Sequence, residues 1–390
     1  MAFARASRLD RLPPYLFIEI DRKKKQAVAA GKDVIDFGVG DPDRPTPAFI
    51  VDRMAEAIRD PATHRYPFGA GAPAFREVAA AWIAKRFGVT VDPQSEVLTL
   101  IGSKEGLGHL PLAVLNPGDV ALVPTPGYPV YEAATIFAGG VPHFLPLSPR
   151  LGFLPDLDEI PTDLLDRAAL MFVNYPNNPT GAVAPPAFFE RCVALARKHN
   201  FIICSDAAYA EMYFNDNDRP HAILEVAGAK DVCIELFSLS KTFNMTGWRI
   251  AFAAGNADVL AALAKIKGNV DSGAFGAVQM AAITALEGWD RPEIADIRRL
   301  YKDRCDQLVP RLNELGFQVD PPTATFYVWA RCPKGYDSMR CATRMLEEAA
   351  IVAIPGVGFG KPGDDYVRFA LTVDRERIAE AAERLARIRW

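Results

Sequence analysis

The sequence has few of the residues that mark metal sites, disulfide scaffolds or membrane spans. Its 390 residues include six cysteines and five histidines, without a CxxC pair or a histidine in a metal-ligand pattern. We therefore expect no bound metal, and we interpret the scattered cysteines as reduced, buried side chains of a cytoplasmic protein. No uncharged apolar run approaches the roughly 20 residues that span a bilayer. The charges in the segment MAFARASRLDRLPPYLF argue against a signal peptide.

A large net charge is also lacking. Lysine and arginine together number 44 and aspartate and glutamate 48, which gives a formal net charge of −4. This balance provides no general attraction to nucleic acid or to an anionic membrane, so we expect neither as a partner. Half of the residues are apolar, which is enough to bury the core of one large domain or of two ordinary ones. We expect the partner to be a small molecule.

Short apolar runs alternate with amphipathic segments over the first three quarters of the chain. The runs cover residues 96–102, 119–126, 141–147, 169–176, 201–209, 233–240 and 249–255. Their near-continuous hydrophobicity is typical of strands that are covered on both faces. The alternation with helices predicts an α/β fold with a mostly parallel sheet and crossover helices.

After about residue 290 the pattern changes. A long charged helix, a hairpin-like stretch and a final helix indicate a smaller α+β domain. We therefore predict an N-terminal arm with part of this small domain over residues 1–47, a large domain over 48–288, and the C-terminal small domain over 289–390.

Polar side chains fall at or just after several of the apolar runs, where ligands bind in open α/β sheets. Asn178, Asp206 and Lys241 all take such positions. A lysine that is partly desolvated there, with serine hydroxyls around it, is favoured as a neutral amine nucleophile. Each residue also has a purely structural interpretation: a lysine reaching to solvent, an aspartate capping a helix, and an asparagine in an ordinary Asn-Pro-Thr-Gly turn. Position alone leaves both interpretations open.

Segments spread over essentially the whole chain resemble one family. They are RLPPYLFIEIDRK, DFGVGDPDRPTP, RYPFGAG, IGSKEG, PTPGYPVY, NYPNNPTG, SDAAYAE, SLSKTFNMTGWR, ATFYVW and YVRFALT. NNPTG together with SLSK, seven residues and an arginine is a very specific combination. By these motifs the chain resembles the fold type I pyridoxal-phosphate aminotransferases. Within them it is most similar to the bacterial subgroup that acts on LL-diaminopimelate, through LPPYLFIEID, GVGDPDRPTP, LIGSKEG and KIKGNVDSG.

The resemblance implies a mostly parallel seven-stranded sheet in the large domain, a smaller α+β domain, and pyridoxal 5′-phosphate as cofactor. Lys241 would hold the cofactor covalently and act as general acid and base. Asp206 would pair with the protonated ring nitrogen. Asn178 and Tyr209 would contact the ring oxygen O3′, and Tyr128 would stack on the ring. The implied catalytic residues are thus Lys241, Asp206 and Tyr209.

The cofactor phosphate would be met by hydroxyls, a helix N-terminus and fixed positive charge. The resemblance assigns this role to Ser103 and Lys104 in IGSKEG, and to Ser238 and Arg249 in SLSKTFNMTGWR. Tyr66 would reach the phosphate from the neighbouring subunit. That last contribution implies a homodimer with shared active sites.

The substrate would be held mainly by its α-carboxylate. Arg368 would bind that group through its planar guanidinium, and the backbone at Gly40 would approach it closely. Tyr15 would line the far end of the substrate, and residues within 269–275 are expected to face a site. The substrate-binding residues implied are Tyr15, Gly40, Lys104, Tyr128, Asn178 and Arg368.

The implied reaction is reversible amino transfer between an amino acid and a 2-oxo acid, here LL-diaminopimelate and 2-oxoglutarate in lysine biosynthesis. Three alternatives stay open. The first is an aminotransferase for aspartate, alanine, methionine or an aromatic amino acid, which would share every cofactor residue. The second is a lyase that cleaves Cβ–S bonds. The third is a non-catalytic regulator, a class usually joined to a DNA-binding module that has no counterpart here.

Overall fold

The computed structural model describes residues 4–12, 16–67 and 69–390 of the chain. Tyr15, one of the predicted substrate residues, lies outside the described residues. The strands are β1 (Ile35–Asp36), β2 (Val97–Leu100), β3 (Val120–Thr125), β4 (Val141–Pro146), β5 (Ala168–Val173), β6 (Ile202–Asp206), β7 (Cys233–Ser238), β8 (Ala251–Gly255), β9 (Tyr327–Arg331), β10 (Ile351–Val352), β11 (Ile354–Pro355) and β12 (Tyr366–Ala370).

The α-helices are interspersed with these strands, and the longest of the described helices follows residue 290. They are α1 (Leu16–Ala29), α2 (Ala48–Ala57), α3 (Pro73–Phe87), α4 (Ser103–Val114), α5 (Val130–Phe137), α6 (Thr162–Leu165), α7 (Pro186–His199), α8 (Leu239–Thr242), α9 (Ala257–Val270), α10 (Gly276–Glu287), α11 (Pro292–Glu314), α12 (Ser338–Ala349) and α13 (Arg375–Leu385). Among the described residues, no helix combines the length and the apolar character that crossing a bilayer requires.

A seven-stranded sheet forms the centre of the molecule, in the order β2-β8-β7-β6-β5-β3-β4. Strands β4, β3, β5, β6 and β7 run parallel, and β8 runs antiparallel to both of its neighbours. The predicted α/β fold with a mostly parallel sheet is therefore confirmed. Each of the seven predicted apolar runs contains one strand of this sheet to within one residue.

Helices cover both faces of the sheet, and alternate residues of each strand face opposite sides. In β3, Leu122 packs with the cluster that includes Phe75 and Phe188, whereas Val123 packs with the cluster that includes Leu107. The prediction of two covered faces is wrong for β4, whose residues are mostly exposed or half-buried. That strand lies at the edge of the sheet, so less of the molecule covers it.

The last hundred residues form a second group of elements. Strands β11, β12 and β9 make an antiparallel sheet, and the N-terminal strand β1 pairs in parallel with β10. This pairing brings the chain around residue 35 back to the C-terminal region. All six cysteines lie within the described residues, buried and unpaired.

Candidate active site

A cavity of about 570 Å³ opens at the carboxyl ends of the parallel strands. Asn178 follows β5, Asp206 ends β6 and Ser238 ends β7, so the sheet delivers all three to one place. The volume lies within the range of small-molecule sites in proteins. The predicted site residues that line the cavity are Gly40, Ser103, Lys104, Tyr128, Asn178, Asp206, Tyr209, Ser238, Lys241, Arg249 and Arg368.

Lys241 lies in the short helix α8, directly after β7. Its Nζ donates a hydrogen bond to the Gly40 carbonyl oxygen at 2.8 Å and lies 5.6 Å from the centre of the Phe326 ring. Burial lowers the pKa of Lys241 to about 8; the Asp41 carboxylate opposes this shift, and two nearby arginines add to it. At pH 7 roughly a tenth of such an amine is neutral, against well under a thousandth at the ordinary lysine pKa. The site thus favours a nucleophilic amine.

The Asp41 carboxylate gives a direct test of this electrostatic setting. Because it stabilises the ammonium form, Asp41→Asn should lower the pKa of Lys241 further, by the order of half a pH unit. Competitive acetylation of the cofactor-free chain across a pH series, followed by mass spectrometry of the Lys241 peptide, measures that midpoint. Asp21→Asn is the matched control, since Asp21 also lines the cavity but is not among the charges that shift Lys241. If the pH midpoint for acetylation of Lys241 is unchanged or higher in Asp41→Asn, the effect of Asp41 on the Lys241 pKa is contradicted.

Asp206 is a buried carboxylate that lines the cavity. Its Oδ2 accepts a hydrogen bond from the Tyr131 hydroxyl at 2.8 Å, and its Oδ1 accepts one from the Ala208 N–H at 3.3 Å. Burial raises the pKa of Asp206 to about 6, and these two hydrogen bonds oppose the shift. No lysine, arginine or histidine of the described residues is among the groups that shift its pKa. A protonated ring nitrogen is the kind of cation that would complete this environment.

A second group of lining residues, around the N-terminus of α4, suits a phosphate. Ser103 is the first residue of α4, and Gly102 before it has a φ of 74°. A Cβ atom at Gly102 would lie 2.2 Å from Nη2 of Arg249, so the absence of a side chain lets the guanidinium lie against the helix N-terminus. Ser238 lines the same cavity. Hydroxyls, a helix N-terminus and a guanidinium together are a dianion-binding set, and pyridoxal 5′-phosphate fits these residues.

Arg368 also lines the cavity. It is 3% exposed, and its Nη1 and Nη2 donate to Asn178 Oδ1 at 2.8 Å and to the Gly38 carbonyl oxygen at 3.0 Å. The guanidinium lies 4.1 Å from the centre of the Tyr327 ring. The hydroxyls of Tyr327 and Tyr209 are hydrogen-bonded at 3.0 Å. A planar cation fixed in this way is suited to a carboxylate.

Three other predicted residues line the cavity and pack against tyrosine side chains. A Cβ atom at Gly40 would lie 2.1 Å from the Tyr327 hydroxyl, so only glycine fits there without movement. The exposed Lys104 has its Nζ 5.7 Å from the centre of the Tyr128 ring. Tyr128 in turn packs edge-on against Tyr131, with 5.9 Å between ring centres.

Tyr66 is the described site residue that this chain does not bring to its own cavity. Its side chain is 74% exposed and it is absent from the cavity wall. The predicted role of Tyr66 in a neighbouring subunit's site therefore stays a prediction.

Sequence reasoning missed several residues of the site. Tyr131 and Tyr327 lie inside the segments PTPGYPVY and ATFYVW that carry the family resemblance, so a signal for both was present. The ion pair between Lys24 Nζ and Asp36 Oδ2, at 2.6 Å, also lines the cavity. It joins α1 to β1, and nothing in the local pattern of either element indicates it.

Comparison with known proteins agrees with this geometry. The family described as aminotransferase class I and II matches residues 32–385. An LL-diaminopimelate aminotransferase of Syntrophobacter fumaroxidans is 57% identical over 388 residues, which is 100% of both chains. A protein of the same name from Nitratidesulfovibrio vulgaris is 52% identical over 99% of both chains. The substrate-bound structure of BacF from Bacillus subtilis is 38% identical, with a TM-score of 0.94 over 99% of this chain and 98% of that one.

Proposed function

The chain belongs to the class I and II aminotransferases and is a pyridoxal-phosphate-dependent enzyme, and from this premise we propose that it transfers an amino group between LL-diaminopimelate and 2-oxoglutarate. The observation that carries the reaction class is the convergence of Lys241, Asp206 and Arg368 on one cavity. The relatives named above support the substrate. So does the Lys24–Asp36 pair in the cavity wall, because a substrate with a second charged end needs charged partners.

The cofactor, when bound, supplies an electron sink that stabilises negative charge at the substrate Cα. We assign the remaining work to side chains of this chain. Lys241 would hold the cofactor until the substrate releases it. Its freed amine would then take the proton from the substrate Cα and, in the reverse direction, deliver a proton to that carbon. Asp206 holds the cation of the ring nitrogen, because a buried carboxylate next to that proton makes its loss unfavourable.

The binding contacts follow the same logic. Arg368 takes the α-carboxylate of each substrate in turn, in a plane set by Asn178 and the Gly38 carbonyl. Ser103, Ser238 and Arg249 hold the phosphate. The remaining proposed contacts are those of Gly40, Tyr128 and Tyr209 at the ring and substrate, and of Lys104 and Tyr15 at the far end.

The substrate proposal is tested with separate half-reactions of the purified, cofactor-loaded enzyme. The visible absorbance of the bound cofactor should be lost on addition of LL-diaminopimelate or of glutamate. The loss should be at least about 100-fold slower with aspartate, alanine, methionine or phenylalanine. Rapid reaction with one of these four and none with LL-diaminopimelate would assign the enzyme to a different substrate. Release of pyruvate and ammonia from a Cβ–S substrate without any 2-oxo acid would indicate the lyase instead.

We also propose that the enzyme is a cytoplasmic homodimer in which Tyr66 reaches the partner's phosphate site. In support, Tyr66, Val270 and Phe275 are 74%, 61% and 41% exposed, so their apolar surface is available to a partner subunit. Gly276 packs against Thr63, which brings the two segments that carry these side chains together. For the domains we propose the division at residues 47 and 288, which the pairing of β1 with β10 supports.

A further inference from the structure

A cluster of four charged or titratable side chains lies outside the cavity, between helices α4 and α9. We call it the bridge cluster: Glu105 and His109 of α4, Lys267 of α9, and Asp271 just after α9. Lys267 Nζ lies 2.7 Å from Glu105 Oε2 and 3.3 Å from Asp271 Oδ1. His109 Nδ1 lies 2.8 Å from Glu105 Oε1 and 3.6 Å from Asp271 Oδ2. None of the four is among the described residues that line the cavity.

The cluster contains its own fixed cation. Glu105, His109 and Asp271 hold possible metal-ligand atoms within 4.8 Å of one another, but the Lys267 ammonium lies against both carboxylates. Lys267 is only 3% exposed. A buried ammonium is stable only when it is paired, and removing it would leave two carboxylates facing each other without a cation. We therefore assign the cluster no metal ion. Its role follows from the elements that it joins.

On one side, the bridge cluster contacts the turn that leads into α4, where the residues suited to a phosphate lie. Glu105 Oε2 also accepts a hydrogen bond from the Ile101 N–H at 3.0 Å. Ile101 and Gly102 form the turn into Ser103, and the Arg249 guanidinium lies against Gly102. The position of this turn therefore depends on the orientation of Glu105, which Lys267 fixes.

The other end of the cluster holds the segment that carries Tyr66. Asp271 Oδ1 accepts a hydrogen bond from the Gly273 N–H at 2.9 Å. Gly273 has a φ of 114°, and a Cβ atom there would lie 2.5 Å from the Pro67 carbonyl oxygen. The backbone at Gly273 thus lies directly against the residue that follows Tyr66.

We propose that the bridge cluster is a positioning network for the cofactor phosphate. Through Glu105 it holds the N-terminus of α4 at its own site, and through Asp271 it holds the segment that delivers Tyr66 to the partner's site. The statement about Asp271 and Tyr66 rests on the homodimer proposed above. Lys267 is the central residue, because it is the fixed cation of the cluster and lies closer to each carboxylate than His109 does. It acts on the phosphate only through the groups that it holds.

The test is the dissociation constant of pyridoxal 5′-phosphate for the cofactor-free chain, measured by fluorescence titration. Lys267→Met should raise this constant about 10- to 100-fold, and Lys267→Arg should restore most of the affinity. Lys265→Met, an exposed lysine on the same helix, is the matched control and should change it less than twofold. Pyridoxal, which lacks the phosphate, should bind Lys267→Met and the parent chain equally.

The outcomes separate this inference from the proposed function. Equal affinity of Lys267→Met and the parent chain for pyridoxal 5′-phosphate would overturn the inference. A parallel loss of affinity for pyridoxal would also overturn it, because that result indicates general damage to the fold. A parent chain that binds no pyridoxal 5′-phosphate would instead contradict the function proposed above. Glu105→Gln is the second variant, for use if Lys267→Met fails to fold. Glutamine keeps an oxygen acceptor for the Ile101 N–H but loses the ion pair with Lys267, so the dissociation constant of pyridoxal 5′-phosphate should rise about 3- to 10-fold. An unchanged dissociation constant in this variant would overturn the inference.

A double-mutant cycle tests the Tyr66 half of the inference. Tyr66→Phe should raise the dissociation constant in the parent chain, and it should raise it less in the Lys267→Met background, where the segment is already displaced. Strictly additive effects would show that the cluster does not act through Tyr66.

Discussion

Replacing Lys241 with alanine should lower the rate of amino transfer by at least about 10⁴-fold and abolish covalent attachment of the cofactor. Lys241 is the residue of the described cavity wall that is placed to supply both functions. Its amine is held by the Gly40 carbonyl, its pKa is lowered by burial to about 8, and it shares the cavity with Asp206 and Arg368. An alanine removes the anchor and the proton carrier together. We expect the binding of amino acids to survive better than their turnover.

Single-turnover kinetics with glutamate, at saturating cofactor, measure this loss. Lys265→Ala, an exposed lysine elsewhere on the surface, should leave the rate within twofold of the parent. Added methylamine should restore part of the lost rate, because a free amine can enter the space that the side chain leaves and carry the proton. Full activity of Lys241→Ala without added amine would rule out the mechanism proposed here.

The strands of the central sheet could be predicted because they carry their own signal. A strand covered on both faces is apolar along its length, and this pattern placed all seven strands. The same reasoning placed Asn178, Asp206 and Lys241 near one another, since parallel strands end at a common edge. The exposure of β4 was missed, because a local run of apolar residues does not reveal which strand lies at the edge.

The contacts that tune the site could not be predicted from local pattern. The Tyr131 hydroxyl that donates to Asp206 is separated from it by 75 positions in the sequence, and Lys267 is separated from Glu105 by 162. Such pairs depend on the order of the strands and on the packing of helices against them. For Arg368, the strand pattern alone gave no reason to expect a buried cation, and its role followed from the family resemblance.

Arg368 is the second residue whose substitution should strongly reduce activity, because hydrogen bonds and ring contacts hold its guanidinium in place. Two of its nitrogens donate to Asn178 and to the Gly38 carbonyl. Its guanidinium carbon lies 4.1 Å from the centre of the Tyr327 ring and 4.8 Å from that of the Phe359 ring. Truncating one partner of a buried, hydrogen-bonded charge pair costs about 2–5 kcal/mol. Arg368→Ala should therefore lower kcat/KM for every amino-acid substrate by roughly 30- to 4,000-fold.

The loss should be mostly in KM, since the α-carboxylate is bound in the ground state as well as in the transition state. Arg368→Lys keeps the charge but loses the planar fork and the ring contacts, so an intermediate loss is expected. Arg331→Ala is the matched control, because Arg331 lies on β9 of the same sheet but pairs with Asp365 at the exposed surface. The dissociation constant for pyridoxal 5′-phosphate should stay near that of the parent in all three variants, which separates loss of the carboxylate contact from damage to the fold. Unchanged kinetics in Arg368→Ala would place the α-carboxylate elsewhere in the cavity.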